Sequence, residues 1–118
     1  KKIPIVNENM LMNKALKILS EKKLGILVIK NKNNKTTGII TDGQIRRFSQ
    51  KKFNFHSLPV KKIMTKKPIA IEKNELAAKA LSLMNSKKIT SLCVHSKKNK
   101  KKTIGIIHIH NILEANIT

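Results

Sequence analysis

Tryptophan and tyrosine are absent, and the only aromatic side chains are Phe48, Phe53 and Phe55, bunched in one segment. Proteins that grip single-stranded nucleic acid stack bases on aromatic platforms, so this composition argues against that role. Acidic residues are scarce too. Glu8, Glu21, Asp42, Glu72, Glu75 and Glu114 are scattered along the chain, and no general acid–base pair can be assembled from them. The four glycines form no phosphate-cradling loop of the Walker or Rossmann type. Cys93 is the only cysteine. Set in Leu92-Cys93-Val94, it excludes an intrachain disulfide and fits a small buried side chain in a reducing cytoplasm, the expected location. No apolar run approaches the roughly 18 to 20 residues that cross a bilayer, the longest being Ile26 to Ile29, and no signal-peptide pattern opens the chain. A membrane partner is not expected. The chain begins with Lys1 rather than Met, so it is expected to be a piece of a longer polypeptide.

What is abundant is positive charge: 26 Lys or Arg give a formal net charge of +20 over 118 residues. Such a charge attracts polyanions. Yet 24 of the 26 are Lys, and only Arg46 and Arg47 carry the guanidinium suited to bidentate phosphate or guanine contacts. Lys, Asn and Ile together make 54 of the residues, all three with codons rich in A and T, so a genome's composition accounts for much of the excess. A nucleic-acid partner is therefore not expected. The run Lys97-Lys98-Asn99-Lys100-Lys101-Lys102 reads as a solvated turn between two strands.

The chain is one pattern written twice, with a period near 65. Val6 falls on Ile71, Asn9 on Asn74, Leu11 on Leu76, Lys14-Ala15-Leu16 on Lys79-Ala80-Leu81, and Leu27-Val28-Ile29 on Leu92-Cys93-Val94. After two extra residues in the second copy, Gly38-Ile39-Ile40 falls on Gly105-Ile106-Ile107. Each copy predicts an extended segment after a proline and an Asn cap (Asn9 or Asn74). A helix follows, with apolar positions Leu11, Ala15, Ile18 and Leu19, or Leu76, Ala80, Leu83 and Met84. A hairpin comes next, Ile26–Lys30 with Thr37–Thr41, or Ser91–His95 with Thr103–His108. A shorter helix ends each copy, 42–49 or 110–115. The domains expected are repeat 1 at 1–49, a linker at 50–62 with one helical turn over 60–64, and repeat 2 at 63–118. The class is α+β: two β-α-β-β-α repeats, each too small to close a core alone, packed about a pseudo-twofold axis.

Three segments carry a family likeness: Gly38-Ile39-Ile40-Thr41-Asp42-Gly43-Gln44-Ile45-Arg46-Arg47, Val60-Lys61-Lys62-Ile63-Met64-Thr65-Lys66-Lys67-Pro68, and Ile104-Gly105-Ile106-Ile107-His108-Ile109-His110-Asn111-Ile112-Leu113. They resemble a tandem pair of cystathionine β-synthase (CBS) domains. More narrowly, they resemble the C-terminal regulatory pair of the bacterial arabinose-5-phosphate isomerase family, in which a sugar-isomerase domain carries catalysis on the route to the lipopolysaccharide sugar Kdo. The resemblance implies a regulatory module that binds a nucleotide or nucleotide-sugar between the repeats and forms homodimers or higher homo-oligomers. Its catalytic domain would lie elsewhere in the same polypeptide, leaving no catalytic residue in these positions and no required cofactor. It also implies a ligand site at Thr41, Gln44, Arg46, Arg47, His108, His110 and Asn111. Where the family usually has a carboxylate three residues after a Thr, this chain has Gln44 and Asn111, and His108 replaces the second Thr. Neutral amides beside Arg and His depart from the usual AMP or ATP mode and suit a nucleotide-activated acidic sugar, so a regulatory nucleotide or CMP-Kdo is the expectation. The alternatives are an adenine-nucleotide-sensing CBS module of another protein and a basic nucleic-acid-associated module. His108 and His110 would share one side of an extended strand, but with no adjoining cysteine or carboxylate cluster no metal site is expected.

Overall fold

A computed structural model describes residues 3–51 and 54–109. The chain divides between Pro68 and Ile69 into two compact units. The first contains β1 (Ile5–Asn7), α1 (Met12–Lys22), β2 (Ile26–Lys30), β3 (Thr36–Thr41), α2 (Asp42–Gln50), a 3-10 turn at Val60–Lys62, and β4 (Thr65–Lys66). The second contains β5 (Ala70–Glu72), α3 (Ala77–Lys87), β6 (Ser91–His95) and β7 (Thr103–His108). The expected closing helix of the second copy, with His110 and Asn111, lies outside the described residues, as does Phe53.

The internal repeat extends to fine geometry. β1 runs parallel to β2 with Ile5 opposite Val28, and β5 runs parallel to β6 with Ala70 opposite Cys93. Each hairpin is antiparallel and each slips register at the same place, between Ile29 and Lys30 and between Val94 and His95. Each long helix ends on a lysine in the left-handed region, Lys23 at φ 55° and Lys88 at φ 56°. The α+β expectation and the two-copy organisation hold.

In the first unit, Met12, Ala15 and Leu19 of α1 pack with Leu27 and Ile29 of β2 and Ile40 of β3. The spacing of three and four brings the helix residues onto one face, while alternation along the strand sends Ile26 and Val28, also buried, to the other side. Each of the Met, Leu, Ile and Val side chains is worth roughly 1.5–3 kcal/mol when fully buried. The second unit repeats this with Ala80 and Met84 of α3 against Leu92 and Val94 of β6. Two sequence expectations fail at the helix starts. Leu11 and Leu76, placed on the buried stripe, are 47% and 75% exposed. They are themselves the residues that precede the first helical turns, so Asn9 and Asn74 cap nothing. Instead the Asn9 amide donates to Asn7 Oδ1 (2.9 Å) in a turn that delivers the chain to the helix.

The cap of α1 comes from far along the chain. Helix starts leave N–H groups without partners, and here Met12 N donates to Leu58 O (2.8 Å) and Asn13 N to His56 O (2.9 Å). Val60 N and Lys61 N return the contact by donating to Met10 O (2.8 Å) and Glu8 O (3.0 Å). Phe55, Val60 and Ile63 insert into the same core at 4% exposure or less. The stretch expected as a linker thus behaves as a strap of the first unit. Ile63, which the sequence places in the second repeat, packs with the first because its side chain fills that core. Phe48 and Phe55 are structural: their rings lie 5.9 Å apart.

Candidate functional site

The candidate residues of the first copy gather where β3 turns into α2. Gly25, at φ +72°, brings its carbonyl within reach of the Asp42 amide (3.1 Å), fixing the end of β3 against the start of β2. Thr41 is extended, at φ −119°, and its Oγ1 accepts from the Gln44 amide (3.3 Å), a side-chain cap on α2. Asp42 in the first turn and Arg47 in the last both complement the helix dipole.

Gln44 points inward and is 8% exposed. Its Nε2 donates to the Ile63 carbonyl, and its Oε1 accepts from Thr65 Oγ1 (3.4 Å). The amide therefore ties the strap and β4 to α2. A carboxylate at this position would meet the Ile63 carbonyl with no proton to offer, which gives a local physical reason for the amide. Arg46 and Arg47 are both exposed, and Arg47 curls back so that its Nη1 lies 3.6 Å from where a Cβ on Gly43 would stand. Thr41, Arg46 and Arg47 thus share one strand–helix junction, and Gln44 lies beneath it.

In the second copy, His108 ends β7 opposite Ser91 and is partly buried. His110 and Asn111 lie outside the described residues. Cys93 is buried beside Thr103, and burial pushes its thiol above the ordinary 9.0 while the Thr103 hydrogen bond pulls the other way. Among the described residues no cluster of three His, Cys, Asp or Glu could hold a metal ion, and no helix is long and apolar enough to cross a membrane.

Two open grooves accompany the first unit. One, of about 510 Å³, is lined by Leu16, Leu19, Ser20 and Lys23 of the α1 end and by Asp42 and Ile45 of α2. The other, of about 680 Å³, is lined by Asn7, Met10, Leu11, Asn13, Lys14 and Lys17. None of these lining residues was a candidate from sequence. The signal available was that Lys14 and Lys17 lie three apart, on one helix face beside Leu11.

The profile of the CBS domain matches residues 1–51 and 60–117. The arabinose 5-phosphate isomerase KdsD of Salmonella typhi is 34% identical over 115 residues, 98% of this chain. The chain spans about a third of the length of the curated relatives it matches, 34% in that case. Among solved structures, a CBS-domain containing protein from Agrobacterium tumefaciens superposes with a TM-score of 0.85 at 18% identity, covering 98% of this chain and 85% of that one. A CBS domain protein from Pyrobaculum aerophilum, complexed with AMP, superposes at 0.83 and 16% identity, covering 100% and 95%. With the profile matched twice and both repeats built on one plan, the chain is a tandem CBS pair and belongs to the CBS domain family.

Proposed function

We propose that this chain is the regulatory, nucleotide-binding part of an arabinose 5-phosphate isomerase, joined in one polypeptide to the sugar-isomerase domain it controls. The observation that carries the reading is identity of 34% sustained over 98% of the chain with an isomerase of that activity. The AMP complex of the Pyrobaculum relative makes nucleotides the ligand class to test first. In this reading Thr41, Arg46 and Arg47 contact the ligand, as do His108, His110 and Asn111 of the second repeat. Gln44 is a positioning residue, because its amide is already engaged with Ile63 and Thr65. Two exposed guanidiniums beside a hydroxyl favour a phosphate or sugar carboxylate, which keeps CMP-Kdo, the activated product of the route, as the preferred effector. Regulation follows from unequal ligand affinity for two arrangements of the protein, and that inequality sets the limit of the coupling.

Calorimetry with AMP, ATP, CMP and CMP-Kdo tests this. A true ligand at 100 times its dissociation constant adds about 2.7 kcal/mol of stability, which raises the melting temperature. No heat and no melting shift from any of the four at millimolar concentration would overturn the proposal.

A further inference from the structure

β3 and β7 hold the same place in the two repeats, but their outer edges differ. On β3, Gly38 and Ile39 pair with Lys66 and Thr65 of β4. A Cβ added to Gly38 would stand 2.5 Å from Met64 Sδ and 2.7 Å from Thr65 O, so the glycine exists to let that segment in. Among the described residues β7 is the last strand of its own sheet. Its Gly105 matches Gly38, yet among the described residues the one atom within 4 Å of a Cβ built there is Val94 Cβ of the neighbouring strand, at 3.7 Å. Burial differs in step. Gly38 and Ile40 are buried, whereas Gly105 and Ile107 are only partly so, and Ile104 is 45% exposed. Nor does Thr103–His108 contain the proline or lysine that blunts an edge strand.

We propose that the outer edge of β7, centred on Gly105, receives a short extended segment of the same polypeptide from outside these 118 residues. It would pair as β4 pairs with β3, by strand addition with a methionine-sized side chain over the glycine. This rests on the reading that the chain is one region of a longer isomerase-like protein; the relatives extend well beyond it, since it spans 34% of their length. A second copy's Thr65–Lys66 is a poorer occupant, being already paired to its own Gly38 and Ile39.

The probe is a peptide with the sequence of Val60-Lys61-Lys62-Ile63-Met64-Thr65-Lys66, titrated into the nitrogen-15-labelled 118-residue chain. Saturable shifts are expected at the Ile104, Gly105 and Ile106 amides. They should vanish when the peptide carries Met64→Glu, and also in the Gly105→Ala chain, whose melting temperature reports that it is folded. Absence of shifts at millimolar peptide, or shifts indifferent to Gly105→Ala, would overturn the proposal. So would sedimentation showing a dimer that Gly105→Ala converts to monomer, since a second copy would then be the occupant. Nucleotide titration of the same sample is read separately: peptide binding without nucleotide binding removes the proposed effector and leaves the edge assignment standing.

Discussion

Placing the same substitution, glycine to alanine, at equivalent points of the two repeats should change stability in opposite directions. At Gly38 a new Cβ meets Met64 Sδ at 2.5 Å, Thr65 O at 2.7 Å and Met64 Cγ at 2.8 Å. The thioether can swing aside, but Thr65 O is backbone, fixed by pairing with Ile39 and by the Gln44 bonds to Ile63 and Thr65. Relief therefore means moving β4. Overpacking of this kind costs roughly 1–3 kcal/mol. The gain from stiffening the unfolded chain is about 0.4–1 kcal/mol where alanine fits the backbone. The net loss is about 1–2 kcal/mol, and at roughly 4 °C per kcal/mol for a chain of this size the melting temperature falls by about 4–8 °C. At Gly105 the nearest non-adjacent atom among the described residues is at an ordinary 3.7 Å, and φ lies outside the left-handed region. Only the unfolded-state gain remains, so the melting temperature rises by about 2–4 °C. Scanning calorimetry of both variants checks the pair. A Gly38→Ala protein as stable as the parent, or two variants shifting in the same direction, would refute the reasoning.

Further expectations concern the junction and the buried thiol. Gln44→Glu should destabilise by roughly 1–3 kcal/mol by facing a carboxylate with the Ile63 carbonyl; urea unfolding should show a smaller deficit at pH 4 than at pH 8, because the protonated acid can donate. Thr41→Ala should cost about 1 kcal/mol through the lost α2 cap, while Thr41→Ser keeps most of it, as thermal melts of the two variants would show. Arg46→Gln with Arg47→Gln should leave the melting temperature within a degree or so of the parent, since exposed charges contribute little, and should weaken the nucleotide response measured by calorimetry. Cys93 should resist a thiol reagent until the protein unfolds. Because its folded pKa is raised, the native state keeps a proton that the unfolded state releases above 9.0; stability is intact below that pH and falls as pH rises from it towards the raised value. In Cys93→Val that alkaline slope should be shallower.

The repeat was legible because a buried strand and an amphipathic helix impose rigid apolar spacing, and the 65-residue offset carries Met12–Lys22 onto Ala77–Lys87 residue for residue. Strand limits on β2, β6 and β7 could be read for the same reason. The helix caps could not. Asn9 and Asn74 look like caps by residue type, but the donors of α1 are satisfied by the His56 and Leu58 carbonyls, more than 40 residues away, and backbone acceptors leave no mark in a sequence. β4 leaves no mark in the sequence, because two residues carry no periodicity and its partner strand is fixed by tertiary contact. Thr41, Arg46 and Arg47 are candidates by motif, and they share the junction of β3 and α2. The inward turn of Gln44 depends on where Ile63 lies, which a motif does not encode.

The strap across α1 sets an order of events during synthesis. Domains close largely as units while the chain emerges at about 5–20 residues per second. A nascent chain that has emerged only as far as Lys51 holds both strands of the first hairpin and both helices, yet lacks Phe55, Val60 and Ile63 and the carbonyls that satisfy Met12 and Asn13. The first repeat cannot finish folding until the residues that lead into the second have left the ribosome. A stop or a truncation between the two would leave an open core exposed to chaperones and proteases.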